Sequence, residues 1–228
     1  MKTVIVTGAS KGIGWATANL FLEKASRVIN ISRTTCNLEG VEDALIDLAA
    51  DDAEARILEL AQSLETGEIH LVHNAAKLTN ESVRDADTGE FRSVLEANVI
   101  APQILNKAVL PKMKPGSSII YIGSTLSEKG VPNSYSYVVT KHASVGMMRA
   151  TCQDLAGSGI HTACICPGFT DTEMLRAHVG DSLGIIAGVS TFGRLIDPEE
   201  VARTIEFAAT NPVINGAVIH ANLGQIES

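Results

Sequence analysis

The chain reads as an α/β protein in which a seven-stranded parallel sheet is covered by helices on both faces. Three observations predict this. Short β-branched apolar runs alternate with stretches of helical period along the whole chain. A glycine-rich turn joins the first such run to the first helical stretch. No internal repeat, low-complexity tract or linker divides the 228 residues, so one domain spanning 1–228 is expected. Strands that alternate with helices build parallel sheets, because each crossover lays a helix over one face.

The elements follow in order. Thr3–Thr7 is the first strand, and the glycine turn ending at Gly14 opens the first helix. Arg27–Ser32 and Ala44–Asp47 are the second and third strands. Asp51 is a good helix start for a stripe of Ile57, Leu60, Ala61 and Leu64, and Ile69–Asn74 is the fourth strand. Phe91, Val94 and Leu95 begin a long helix reaching Leu110, followed by the fifth strand, Ser118–Ile122. A second long helix, Ser136–Leu155, precedes the sixth strand, His161–Cys166. Residues 170–191 show no clear period, and Gly180, Gly184 and Gly188 suit either a substrate lid or an irregular surface helix. Asp197, followed by Pro198 and two glutamates, starts the last helix before the seventh strand, Ala217–Ala221.

Composition narrows the function classes. Hydrophobic residues at 45% and charged residues at 19% describe a soluble globular chain and exclude disorder. A net charge of −8 argues against nucleic acid and against anionic membrane surfaces as partners. No apolar run approaches a membrane span, and Gly8 interrupts the early apolar stretch that a signal peptide would need, so a cytoplasmic location is expected. Cys36, Cys152, Cys164 and Cys166 form no C-x-x-C pair and read as buried free thiols. Cys164 and Cys166 should share one strand face, whereas His70 and His73, three apart, should point to opposite faces. No metal site is expected.

Chemistry concentrates at Tyr137-Val-Val-Thr-Lys141, because residues four apart share a helix face. An ammonium about 6 Å from a phenol, at an effective dielectric near 20, favours the phenolate by roughly 2.8 kcal/mol. Such a pair is a candidate general acid/base. Ser124 lies thirteen residues earlier and could hydrogen-bond a substrate oxygen. Asn98 stands seven positions after Phe91 on the apolar stripe of its helix, so its amide needs buried partners. Tyr121, Tyr135 and His142 have the wrong register for the pair and are expected to be structural or superficial.

The glycine turn, Thr7-Gly-Ala-Ser-Lys-Gly-Ile-Gly14, has the spacing G-x-x-x-G-x-G. Glycines there let backbone approach a pyrophosphate at a helix N-terminus, where N–H groups and the dipole favour anions. The second strand ends Ile31-Ser32-Arg33 with no acid between Glu23 and Glu39. Ser32, Arg33 and Lys11 can therefore meet the 2′-phosphate of NADP, where an acid would instead bind the 2′-hydroxyl of NAD.

With these motifs in order, the chain resembles the short-chain dehydrogenase/reductase family from its first strand to its last, and most resembles bacterial 3-oxoacyl carrier-protein reductase-type carbonyl reductases. The resemblance implies a Rossmann-like doubly wound sheet and a proton relay through Asn98, Ser124, Tyr137 and Lys141. It also implies a cofactor site formed by Gly8, Ser10, Lys11, Gly12, Ile13, Gly14, Asp47, Leu48, Asn74, Ala75, Pro167, Gly168, Thr170 and Thr172, with Lys141 on the nicotinamide ribose. His73, Ala76, Ala25 and Asn222-Leu223-Gly224 depart from the family pattern. The implied activity is NADP(H)-dependent interconversion of a ketone and a secondary alcohol. Same-fold epimerases or dehydratases and a catalytically silent nucleotide sensor remain as alternatives. The lid's Leu175, Ile185, Ile186 and Val189, with Phe169 and Phe192 at its ends, suggest a modest apolar keto compound. Lys112, Lys114 and Lys129 are candidates for a basic patch facing an acidic carrier protein. A homo-oligomer, tetramer or dimer, pairing the two long helices is expected.

Overall fold

The computed structural model describes residues 2–24 and 26–225. Seven parallel strands, β1 (Thr3–Thr7), β2 (Arg27–Ser32), β3 (Val41–Leu45), β4 (Ile69–His73), β5 (Ser118–Ile122), β6 (His161–Pro167) and β7 (Ala217–Ala221), form one sheet in the order 3-2-1-4-5-6-7. Strand order reverses between β1 and β4. That is the switch point at which open α/β sheets place their ligands, beyond the carboxyl ends of the strands.

Helices α1 (Gly12–Glu23) and α8 (Pro198–Thr210) cover one face, and α2 (Ala53–Ser63), α4 (Ala101–Val109) and α5 (Tyr135–Asp154) the other. Alternation along each strand feeds both cores. Ile5, Ile29 and Ile31 pack with Ile57, Leu105 and Met148, while Val4, Val6 and Val28 pack with Phe21, Val201 and Ile205. β4 and β5 are buried along their whole length, as expected for strands covered on both sides.

Several boundaries differ from expectation. β3 spans Val41–Leu45, earlier than 44–47, because it pairs with β2 through Val28↔Val41 to Ser32↔Leu45. Its residues are all exposed or half-buried at the sheet edge, so apolar content misplaced it. β4 stops at His73, and β6 continues through Pro167. Asp52, one residue later than expected, stands at the N-cap of α2. The first long helix starts at Thr88 and is interrupted by a π-helical turn, Glu96–Ile100, between α3 (Thr88–Leu95) and α4. The segment without a clear period contains two short helices, α6 (Glu173–Val179) and α7 (Leu183–Ala187). Ala25 lies outside the described residues.

The histidines and cysteines follow strand geometry. His70 stacks on Phe21 beneath α1, whereas His73 lies against Tyr121 on the other face and hydrogen-bonds Asn106. Desolvation lowers both imidazoles to about 4, so both are neutral in the fold. Cys164 and Cys166 share a face, with their sulfurs 4.0 Å apart. Cys152 is half-buried, where burial was expected, because it sits near the end of α5 beside Gly216.

Candidate active site

The loops that leave the carboxyl ends of the parallel strands bring residues far apart in sequence to one edge. After β1, Gly8 and Gly12 have φ of +71° and +57°, which L side chains rarely adopt. Gly14 is required for space: a Cβ there would stand 2.2 Å from the Gly8 carbonyl oxygen. The turn is therefore a cradle that only glycine permits, followed directly by the N-terminus of α1. These features fit a pyrophosphate.

Three side chains hold the cradle. The Asn74 amide donates to the carbonyls of Thr7 (2.9 Å) and Gly8 (3.2 Å). The Thr7 hydroxyl accepts from the backbone N–H groups of Asn74 and Ala75, both at 2.9 Å. On the far side, the Ala9 N–H donates to Asn30 at 2.9 Å. The Asn74 side chain is thus spent on the scaffold. His73, where the family pattern has Asn, turns away into the core and leaves this turn untouched.

At the end of β2 the structure separates two residues that the sequence grouped. Arg33 is exposed and forms no ion pair among the described residues. Ser32 is 9% exposed, and its hydroxyl donates inward to the Thr34 carbonyl, so the expected hydroxyl donor to a phosphate is already committed. Asp43, unnoticed in the sequence because it belongs to β3, brings a carboxylate to this end. It is fixed on the Asn30 amide (2.8 Å) and the Cys36 N–H (2.9 Å). Lys11 is paired with Glu173 at the start of α6 (2.7 Å), and both partners are mostly exposed. Asp47 is exposed beyond β3, with Leu48 buried behind it.

The reactive groups assemble beyond β5. Lys141 is 5% exposed, and its ammonium donates to the Ile122 carbonyl at 2.7 Å. That ammonium lies 5.3 Å from the centre of the half-buried Tyr137 ring, as the four-residue spacing predicts. Ser124 follows Gly123 and caps a short 3-10 turn, accepting from Leu126 N–H at 3.1 Å while its own N–H is held by Ser127. Gly123 is needed here too: a Cβ would meet Ser127 and the sulfurs of Cys164 and Cys166 within 3 Å.

Asn98 sits in the π turn, 7% exposed. Its oxygen accepts from Lys77 N–H (2.7 Å), and its amide donates to the Lys77 carbonyl (2.9 Å) and the Thr140 hydroxyl (3.0 Å). Thr140 donates in turn to the Tyr137 carbonyl. The amide therefore ties the helix carrying Tyr137 and Lys141 to the loop after β4, with its side-chain partners all assigned. Tyr121 is structural, bonded to Asn106 and Thr151, and Tyr135 stacks on Phe91. His142 is an exposed helix residue bonded to its own turn.

After β6, Pro167 and Gly168 turn under the tail, since a Cβ at Gly168 would stand 3.0 Å from Asn222. Thr170 is buried and Thr172 caps α6, with its methyl 3.1 Å from where a Gly12 Cβ would be. Residues 170–172 thus reach across to the glycine turn. The departing tail, Asn222-Leu223-Gly224, accepts two hydrogen bonds from Thr191 and so joins the end of the lid. The three candidate lysines for a basic patch do not come together. Lys112 and Lys114 precede β5 at the amino edge of the sheet, bonded around Gln62, Leu64 and Gly67, while Lys129 follows it at the carboxyl edge. Among the described residues, no helix is long and apolar enough to cross a membrane.

Two signals in the sequence went unused. Asn30 interrupts the apolar run Val28–Ile31, and the reasoning applied to Asn98 (a buried amide needs partners) applies equally to it. Thr7, directly before the first glycine, is the other.

Comparison with known proteins agrees with this geometry. A family model described as enoyl-(acyl carrier protein) reductase matches residues 8–225. The 3-oxoacyl-[acyl-carrier-protein] reductase FabG of Escherichia coli is 29% identical, over 98% of this chain and 96% of that protein. The cis-4-hydroxycyclohexanecarboxylate dehydrogenase of Sinomonas cyclohexanicum is likewise 29% identical, over 98% and 96%. A Beutenbergia cavernae protein described as an NAD(P)-dependent gluconate 5-dehydrogenase, solved with NADP at low occupancy, superposes with a TM-score of 0.90 at 29% identity, over 98% of this chain and 96% of that one. A glycine cradle at the switch point, a Tyr–Lys pair beside a serine, and matches along nearly the whole length place this chain in the short-chain dehydrogenase/reductase family of oxidoreductases.

Proposed function

We propose that the protein is an NADP(H)-dependent oxidoreductase that interconverts a ketone and a secondary alcohol, with Tyr137 as general acid/base. The observation that carries this reading is the Lys141 ammonium, buried, fixed on the Ile122 carbonyl at the end of the strand that leads to Ser124, and 5.3 Å from the Tyr137 ring. The glycine cradle and the exposed Arg33 support a 2′-phosphorylated dinucleotide, and a relative of this fold was solved with NADP.

When bound, the dinucleotide supplies the hydride. Tyr137 gives its proton to the carbonyl oxygen in reduction and takes it back in oxidation. Ser124 donates a hydrogen bond to the same oxygen and stabilises its charge. Lys141 would hold the Tyr137 side chain in place and would contact the nicotinamide ribose. Asn98 keeps the Tyr137 helix in register through Thr140. The relatives at 29% identity carry names for a carrier-protein thioester, a cyclic hydroxy acid and a sugar acid. Equal similarity to three unlike substrates supports the reaction class and leaves the substrate to the lid, whose aliphatic side chains favour a modest apolar keto compound.

The test is NADPH oxidation against β-keto esters, diketones, quinones and aldehydes, comparing wild type with Tyr137→Phe. The variant should bind NADPH normally and lose roughly 10²–10⁴ in kcat, the usual contribution of a positioned general acid. Turnover within tenfold of wild type would sink the assignment. We also propose a homotetramer built on the helix pair α3–α4 and α5, which leaves Ile100 and Val139 exposed. Sedimentation showing only monomer at micromolar concentration would contradict it.

A further inference from the structure

Asn30 lies in the middle of β2 with no exposed surface, yet its side chain takes part in four hydrogen bonds, three of them with residues outside its strand. Its oxygen accepts the Ala9 N–H from inside the glycine turn (2.9 Å). Its amide donates to Ser32 Oγ (3.0 Å), the Thr34 carbonyl (3.1 Å) and Asp43 Oδ1 (2.8 Å). With three acceptors in reach of two amide protons, both donors are fully used and at least one is shared. Asp43 in turn receives the Cys36 N–H, and Ser32 donates to Thr34. The loop 32–36 is therefore wrapped around one buried amide, and Arg33 is the residue that projects outward from it.

The two segments joined by Asn30 form opposite walls of the cofactor end. On the NADP(H) reading the glycine turn would take the pyrophosphate, and Arg33 would meet the 2′-phosphate of the ribose. We propose that Asn30 is a positioning residue for cofactor choice: by tying Ala9 to the loop 32–36 it sets where the Arg33 guanidinium stands relative to the glycine turn. The inference rests on the NADP(H) reading above. A charge-assisted bond to phosphate needs the guanidinium within a few tenths of an ångström of its place, whereas contacts along the rest of the dinucleotide are spread over several loops. Loosening this hub should thus weaken NADPH much more than NADH.

The experiment is titration of the full chain with NADPH and NADH by nicotinamide fluorescence at fixed ionic strength, for wild type, Arg33→Ala, Asn30→Asp, Asp43→Ala and the double variant Asn30→Asp/Asp43→Asn. Asn30→Asp keeps the acceptor for Ala9 but sets a carboxylate against Asp43. It should lower NADPH affinity about tenfold and change NADH affinity less than about threefold. The double variant removes the repulsion and should recover at least half of the lost preference on a logarithmic scale. Asp43→Ala, at an exposed position, should shift the preference in the same direction by about threefold, and it decides the matter if Asn30→Asp does not fold. If Arg33→Ala abolishes the preference while the Asn30 and Asp43 variants leave it intact, or weaken both cofactors equally, Asn30 is merely a core polar group and the inference is wrong. If wild type shows no preference for NADPH, or Arg33→Ala leaves it unchanged, the underlying reading of this strand end fails with it.

Discussion

The carboxyl edge of the sheet and the segment 173–193 face each other across the candidate cleft, and they are built on opposite principles. At the sheet edge, buried and half-buried side chains bond to backbone: Thr7, Asn30, Asn74, Asn98 and Lys141 each hold a neighbouring segment by its N–H or C=O groups. Such groups are costly to leave unpaired, so each contact specifies one geometry. The lid is held mainly from its ends, by the exposed Lys11–Glu173 pair and by Thr191 on the tail, and it presents Ile185 at 77% and Phe192 at 69% exposure. Exposed ion pairs contribute about 0–1 kcal/mol. The difference separates two tasks. On the proposed reading, the sheet edge would fix a cofactor and a proton donor, while the segment 173–193 would be left to adapt to a substrate.

Acid should produce the largest effect and should act on the sheet. His70 and His73 lie on opposite faces of β4 with imidazoles lowered to about 4 by desolvation. An unfolded histidine titrates near 6.5, so between those values the unfolded chain binds more protons than the folded one. Stability is therefore full above about pH 6.5 and falls as pH drops towards 4, by roughly 3 kcal/mol for each imidazole. Urea denaturation from pH 7 to pH 4.5 should show this slope, and His73→Gln should flatten it. A midpoint that stays constant across that range would contradict the neutral buried imidazoles.

Gly14→Ala comes next. Its Cβ would fall 2.2 Å from the Gly8 oxygen, so α1 or the turn must move. Overpacking of this kind costs about 3 kcal/mol, and cofactor affinity should fall at least about a hundredfold because the cradle itself is displaced. Retained affinity in a fluorescence titration would mean the cradle is softer than its hydrogen bonds imply.

A matched pair of substitutions sharpens the contrast further. Ile31→Ala, in a fully buried position, should cost about 2–5 kcal/mol, whereas Ile185→Ala should cost less than about 0.5 kcal/mol. Ile185→Ala should instead raise KM for an apolar ketone with little change in kcat. An equal loss of stability at both sites would mean that the lid is packed in solution. The smallest effect is expected for Glu173→Gln, which frees Lys11. It should leave thermal stability within about 2 °C and strengthen cofactor binding about twofold.

The sequence alone determined the sheet, the glycine cradle and the Tyr137–Lys141 pair, and the physical reason is range. Strand alternation, helical spacing and glycine's tolerance of positive φ are local properties, readable within a few residues. What went wrong was non-local. The edge strand β3 was misplaced because pairing with β2, and not apolar content, sets its limits. The three lysines thought able to form one patch lie at opposite edges of the sheet. Whether Ser32 faces a ligand or its own loop depends on Asn30 and Asp43, thirteen residues apart and adjacent only through strand pairing. Asn98 needed partners by any reading of a buried amide, but that they are Lys77 and Thr140 is a fact of how two helices and a loop meet. Periodicity could name which groups would be buried. Only the tertiary structure decided which of them met, because a buried polar group takes whichever partner the packing brings within 3 Å.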